Sequence, residues 1–382
     1  MSYLIISDCF YLETKSISRH VYDLLANFEK KRIKTLFVFA SEKNQNYFKK
    51  KFKFNNIDFI PINIGKIKKN NFFIRGIKEF IMPFKFFKIL NEFKNLNIKK
   101  TIIFSPSIFF SLIMKKIKKK YNCKIILIIR DIFPDWVIQK NRFCILNPFY
   151  IFAKIVSNMQ FLNADIIACQ TKHDKIHLQK KYPQRKIIII YNWITKKKII
   201  IKKIKNNIIR FVFLGTIGPA QDWGYITRLI KDLYIKKYHF KFYFIGDGKY
   251  KKKIKKNLQK FKNVHILKSL SERKMLKKLV TMDVGVLPLD TKIKFDNIPG
   301  KFFSYMEANL PILCVAAINQ EILKIVKKYK LGKIANNYNN LLMNTEKFIK
   351  ENIDYLELNK NYDKCYKKKF TTEIAFKTIN NI

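Results

Sequence analysis

Glycine and proline are scarce, at 10 residues each in a chain of 382. That excludes collagen-like and linker-rich architectures. Acidic residues are also few: 27 Asp and Glu stand against 78 Lys and Arg, for a net charge of +51. The six cysteines (Cys9, Cys123, Cys144, Cys169, Cys314 and Cys365) are scattered with no Cys-x-x-Cys pair. This rules out a zinc ribbon or disulfide framework and fits a reducing cytoplasm. No Asp-x-Asp pair occurs, so a nucleotide site clamped by Mg or Mn has no support. No apolar run reaches the length of about 20 residues that spans a bilayer. The nearest, Phe72–Leu90 and Ile108–Met114, are broken by lysines or too short. Met1–Phe10 has neither the basic start nor the cleavage site of a signal peptide, so a chain without a leader is expected.

What is abundant is Lys, Ile, Asn and Phe together, the mark of an AT-rich coding sequence. Much of the lysine is then a default surface residue, and the charge alone does not argue for nucleic acid. No RNP, KH or helix-turn-helix pattern is present, so no nucleic-acid partner is expected. The hydrophobic fraction of 48% excludes a disordered chain. The length predicts two domains.

Continuous apolar strands alternate with helical periods. Tyr3–Ser7, Thr35–Ala40, Asn56–Ile62, Thr101–Phe104, Cys123–Ile129, Ala164–Cys169 and Lys186–Tyr191 read as strands. Such unalternating strands, with helices such as Ile17–Phe28 and Ile108–Lys119 between them, predict a parallel sheet covered on both faces. The pattern restarts at Phe211–Leu214 and continues through Phe242–Ile245, Val264–Leu267, Val284–Pro288 and Ile312–Val315. Its helices fall at Tyr225–Leu233, Lys249–Phe261, Ser271–Thr281 and Lys301–Asn309, with a helical tail from Asn344. The Lys/Ile-rich stretch at 196–207 marks the boundary. The prediction is two facing, doubly wound Rossmann-like α/β domains, residues 1–195 and 208–360, with residues 361–382 crossing back onto the first. Ligands of such sheets bind beyond the carboxyl ends of strands.

Several motifs sit at those ends. Arg130-Asp131 follows a buried strand, and Asp135 lies one turn on. Arg130 can grip a phosphate or orient Asp131, and either aspartate can take sugar hydroxyls; equally, the pair can simply close a strand. Gly215-Thr216-Ile217-Gly218-Pro219-Ala220-Gln221 and Gly246-Asp247-Gly248 each follow a strand, as diphosphate-approaching turns or as plain turns. Asn297-Ile298-Pro299-Gly300-Lys301 precedes a helix whose first N–H groups, with the lysine charge, suit an anion. His173 and His177 share a helix face but lack a third ligand, so a solvated face is expected there and no metal. Phe72–Phe93 mixes aromatic and basic residues in a way that suits a membrane interface, with Pro83 expected to interrupt it.

Taken in order, Arg130-Asp131-Ile-Phe-Pro-Asp135-Trp136, Tyr191-Asn192-Trp193-Ile194, the Gly215–Gln221 and Gly246–Gly248 turns and Asn297–Met306 resemble a GT-B glycosyltransferase of the family 4 type. The likeness covers most of the chain. Within that group it resembles the N-acetyl-L-fucosamine transferases of bacterial O-antigen and capsule assembly. The resemblance implies metal-independent, retaining transfer from a nucleotide sugar, expected to be a UDP-sugar, to a lipid-linked saccharide. The second domain would hold the donor and the first the acceptor. It implies catalytic roles for Arg130, Asp131 and Lys301, and donor contacts from Gly215, Gly218, Gln221, Gly246, Gly248, Asp296, Pro299, Gly300 and Ser304. Two acidic residues eight apart in many relatives fall here on Asp296 and Ser304. The early glycine-rich loop is absent, and the usual Arg and Lys after the first donor-domain strand are replaced by Ile217–Gln221. This shifts the diphosphate onto the Gly218 backbone and Lys301. The place expected is the cytoplasmic face of the plasma membrane, on anionic lipid. The alternatives are a GT-B nucleotide-sugar 2-epimerase and a catalytically degenerate binding partner.

Overall fold

The structure is a computed structural model that describes residues 2–10, 16–65, 72–93, 96–105, 107–135, 146–196, 208–292, 298–318 and 320–382. Asp296, Asn297, Trp136 and the boundary stretch 197–207 lie outside the described residues.

Two separate parallel sheets organise the chain. The first has seven strands, β1 (Ser2–Ser7), β2 (Thr35–Ala40), β3 (Ile57–Ile62), β4 (Ile98–Ser105), β5 (Lys124–Ile129), β6 (Ile166–Cys169) and β7 (Lys186–Ile189), in the order β3-β2-β1-β4-β5-β6-β7. The second has six, β8 (Ile209–Leu214), β9 (Phe240–Ile245), β10 (Val264–Leu267), β11 (Val284–Pro288), β12 (Ile312–Val315) and β13 (Gly332–Ala335), in the order β10-β9-β8-β11-β12-β13. Each sheet begins in its middle and winds outwards both ways. This leaves a topological switch point between β1 and β4, and another between β8 and β11.

The strands are apolar on both faces because helices cover both. In β5, Ile125 to Ile129 are all buried. Phenylalanine fills much of the first core, with Phe10 edge-on to Phe37 at 4.9 Å and Phe39 edge-on to Phe48 at 4.8 Å. The second core is built around Phe211, Phe213, Phe242 and Phe244.

The chain divides into one compact unit of Met1–Thr195 with Phe370–Ile382, and another of Lys196–Lys369. The return to the first unit thus starts at Phe370, later than residue 361. The helix Tyr355–Lys369 stays on the second unit because Tyr362 and Cys365 are fully buried there and the Tyr362 hydroxyl donates to Leu310 O at 2.7 Å. The Tyr191–Ile194 motif receives the return. Ile194 N donates to Phe370 O at 2.9 Å, and Tyr191 meets the Phe370 ring edge-on at 5.7 Å. The helix Thr372–Asn380 then packs Ala375, Phe376 and Ile379 into the first core.

Some local expectations change. Ile108–Lys119 is a 3-10 turn, Ile108–Phe110, followed by the helix Ser111–Tyr121. The tail is three helices, Tyr338–Lys350, Tyr355–Lys369 and Thr372–Asn380. Pro83 does not interrupt its segment: the helix runs through it from Phe72 to Leu90. The sequence predicts neither the short strand β13 nor the helix Pro148–Asn163.

Candidate functional site

In the second sheet, β8 and β11 pair only at Val284↔Phe211 and Gly285↔Val212. Beyond that register they splay, and the gap is filled from the helix Gly300–Glu307. Tyr305 is wholly buried, and its hydroxyl accepts from Leu214 N at 3.1 Å and lies 3.1 Å from both Val212 O and Val286 O. One side chain thereby satisfies backbone groups of two diverging strands. Gly285 makes this possible, because a Cβ there would lie 2.6 Å from the Tyr305 ring. Gly285 is not singled out by the sequence, and Tyr305 enters only within the Asn297–Met306 motif, with no role assigned. The available signals were a glycine inside an apolar strand, which marks a close approach, and a tyrosine amid the run Phe302–Met306.

Anchored this way, the helix presents its start at the switch point. Its first turn leaves N–H groups without intrahelical acceptors. Lys301 and Ser304 are its part-exposed positions, while Phe302, Phe303, Met306 and Glu307 are buried. The Lys301 ammonium lies 4.0 Å from the centre of the Phe213 ring. Burial lowers its pKa to about 7. Among the described residues no carboxylate pairs with it. Serine at 304, one turn on, supplies no charge to hold it protonated. A half-neutral lysine at a helix start is a site prepared for an anion that brings its own charge.

The glycine turns lie beside it. Gly215 has φ 107°, and a Cβ there would lie 3.8 Å from Lys301 Cε. A Cβ on Gly246 would sit 1.9 Å from Gly215 O, and one on Gly248 2.3 Å from Ile217 O. The two turns are thus in backbone contact, laced by Ile217 N to Asp247 O at 3.0 Å and Tyr250 N to Ile217 O at 3.1 Å. Asp247 is a fastener: it accepts from Lys251 Nζ at 2.6 Å and from Ser269 N at 3.0 Å. These hydrogen bonds, led by that from Lys251, hold its carboxyl well below the usual range.

Two expected donor contacts are spent inside this framework. The Gly218 N–H donates to Gln221 Oε1 at 3.0 Å, and Gly218 O accepts from Trp223 Nε1 at 2.7 Å. The Gly218 amide is therefore already bonded here, and Gln221 closes that loop. Gly215, Lys301, Pro299, Gly300 and Ser304 stand together at the splay of the strands, with Gly246 and Gly248 supporting them. A groove of about 540 Å³ opens to one side, along Trp223, Arg228, Tyr250 and Lys253.

In the first unit, Arg130 and Asp131 follow β5. Arg130 is half-buried, and burial lowers its pKa against the opposing fields of Asp131, Cys9 and Asp8. The charges of Arg130, Asp131 and Asp8 gather at the carboxyl ends of β1 and β5, with His20 close by. Burial first, then Arg130, pushes the His20 imidazole well below its ordinary pKa, so it is neutral at pH 7. Asp135 does not join them. Its carboxylate is bonded by Lys154, with His177 Nε2 at 3.6 Å and Lys181 Nζ at 4.0 Å. Burial opposes ionisation there, yet the His177 and Lys154 hydrogen bonds prevail and hold Asp135 at about 2. Asp135 is thus a structural anchor, and His177 faces it instead of solvent alone. Among the described residues no cluster of three metal-ligating side chains occurs.

No family profile matches the sequence, and no curated protein does. The fold has many solved counterparts. The chain is similar to the apo form of the lipopolysaccharide outer core galactosyltransferase WaaB, with a TM-score of 0.67 at 12% identity over 100% of this chain and 98% of that one. Sucrose-phosphate synthase from Thermosynechococcus elongatus superposes with a TM-score of 0.71 at 10% identity, covering 100% and 97%. Anabaena HepE in complex with UDP-glucose gives 0.66 at 10% identity, covering 100% and 98%. The fold is GT-B: two parallel-sheet, Rossmann-like α/β units.

Proposed function

We propose that the protein is a glycosyltransferase that moves a sugar from a nucleotide-diphosphate donor, a UDP-sugar, to a lipid-linked saccharide in surface polysaccharide assembly. The observation that carries this reading is Lys301. It is a part-buried lysine without a carboxylate partner among the described residues, at a helix start, against the Gly215 turn, at the switch point of the second sheet. Stabilising charge on the departing diphosphate is the largest demand of such a transfer, and a lysine with helix N–H groups supplies it without a metal. Retention of configuration follows if the departing phosphate takes the acceptor proton on the same sugar face. Arg130 and Asp131 then orient the acceptor in the first unit. The UDP-glucose complex of HepE and the galactosyltransferase activity named for WaaB favour this donor class and product. An N-acetyl amino-deoxy sugar is the donor sugar proposed, and the inner face of the plasma membrane the place of work.

The test is calorimetric titration with UDP and UDP-sugars, beside turnover and melting temperature, for the wild type and Lys301→Ala. UDP binding with turnover lost in a well-folded variant is the expected result. Normal turnover in a folded Lys301→Ala protein would remove the lysine and this donor site together.

A further inference from the structure

The helix Pro148–Asn163 is apolar outside as well as in, with Val156 and Phe161 buried. Its buried face also carries polar side chains: Gln160 accepts from Ser105 Oγ at 3.0 Å and donates to Ser107 O at 3.1 Å, and Ser157 Oγ donates to Phe133 O at 2.7 Å. Its outer face is apolar. Ile151, Phe152, Ile155, Met159 and Leu162 form one exposed stripe at helical spacing, and Phe149 at the start is 69% exposed. Core packing cannot explain residues that face away from the core. Composition cannot either, since 78 Lys and Arg make lysine the default surface residue of this chain, yet none stands in that stripe. The one lysine of the helix, Lys154, turns to Asp135.

The apolar surface continues onto a second helix. Phe152 lies 6.3 Å from Phe109, Phe109 lies 5.7 Å from Phe80, and Phe80 lies 5.7 Å from Phe84. Phe80 and Phe84 belong to the exposed side of Phe72–Leu90, with Ile77 and Ile81. Here the lysines return. Lys85 and Lys88 are exposed on the same helix, and Lys116 Nζ lies 5.6 Å from the Phe87 ring. A continuous apolar face larger than scattered surface residues marks an interaction site. An apolar face edged with lysine suits the boundary between headgroups and acyl chains of an anionic bilayer. No helix among the described residues is long and apolar enough to cross a membrane.

We infer that the outer face of Pro148–Asn163, joined through Phe109 to that of Phe72–Leu90, lies in an anionic lipid surface, with the first helix inserting its uncharged stripe and the second supplying the lysines. This rests on the reading that the protein works at a membrane, and assigns that contact to an element whose sequence did not announce it.

Flotation with phosphatidylglycerol–phosphatidylcholine vesicles, beside phosphatidylcholine alone, tests it. The wild type should float with anionic vesicles and less so as salt rises. Ile155→Asp with Met159→Asp should lower binding at least tenfold at unchanged melting temperature, because both residues are already exposed. Lys85→Glu with Lys88→Glu should also weaken anionic binding, by about fivefold or more for each position, and flatten the salt dependence. Calorimetric UDP binding should stay unchanged in all variants, so a lost donor site is read separately from a lost membrane contact. If the wild type floats and the Asp variant floats equally, this surface is wrong while membrane binding stands. If the wild type floats with no vesicle, both the surface and the membrane location fall. A wild-type dimer that Ile155→Asp dissociates, without vesicle binding, would make the face an interface between copies and overturn the inference.

Discussion

Lys301 makes a sign-specific prediction. Its pKa is lowered to about 7 in the folded protein, against about 10.4 in an unfolded chain. Between those values the unfolded state binds the extra proton, so stability rises with pH across that window. The penalty of burying the charge is complete below about 7 and fades as pH climbs. Lys301→Met should therefore stabilise the ligand-free protein at pH 6–7, by on the order of 1–3 kcal/mol, while abolishing turnover; melting curves from pH 6 to 10 check this. A bound diphosphate would draw the proton back. UDP affinity should fall as pH rises above 7, with proton uptake visible by calorimetry in buffers of different ionisation enthalpy. Ser304→Glu, one turn along the helix, should hold Lys301 charged and flatten that dependence. The glycines separate as sharply. Gly248→Ala drives a Cβ to within 2.3 Å of Ile217 O and should cost several kcal/mol of stability. Gly218→Ala meets only ordinary contacts, 3.5 Å from Thr216 Cγ2, and should leave the melting temperature unchanged.

Among the elements, the helix Gly300–Glu307 holds the site in place through one hydroxyl. Tyr305→Phe keeps the ring against Gly285 but leaves Leu214 N without its acceptor and takes a donor from the strand carbonyls. A buried group left unsatisfied costs about 1–3 kcal/mol. Urea denaturation should show that loss, and turnover should fall further than stability predicts, because the same hydroxyl positions the turn carrying Lys301. The strands and most helices were legible in the sequence. Long apolar runs have one interpretation when helices alternate with them, and β13 was lost only because four residues, Gly332–Ala335, offer no period to count. Pro148–Asn163 escaped for a different reason. Apolar residues lie on both its faces, Val156 and Phe161 inward and Ile151, Ile155 and Met159 outward, so no single core-facing stripe stands out. The Pro299-Gly300-Lys301 turn could be read directly, as its chemistry is local. The commitment of the Gly218 amide to Gln221 could not, since the same residues suit an open or a closed loop.

For the whole molecule, the charge of +51 predicts association strongly weakened by salt with any anionic partner. Transfer itself should not need a divalent ion: turnover is expected to be unchanged after EDTA treatment, and a full loss restored by Mn would refute the metal-free reading. The return segment sets another whole-chain property. Phe370–Ile382 completes the first unit, where Phe376 stands edge-on to Phe28 at 5.2 Å and Lys100 Nζ donates to Asn380 O at 2.6 Å. Truncation after Lys369 should lower the stability of the N-terminal unit, measurable as faster proteolysis within residues 1–195.

The sequence by itself determined the two-sheet α/β class, the restart near Phe211 and the motifs at strand ends, because burial on both faces of a parallel strand leaves a pattern that needs no partner to be seen. It also determined the absence of any Asp-x-Asp clamp. Only the tertiary structure decided which partners the motif residues meet. Asp135 is held by Lys154 and faced by His177 and Lys181, residues 19 to 46 positions away. Gly246 and Gly248 are fixed by the backbone of another loop, and Tyr305 joins two strands that separate. Such assignments depend on distances between groups remote in the chain, and a hydrogen bond made across that separation leaves no trace in local order.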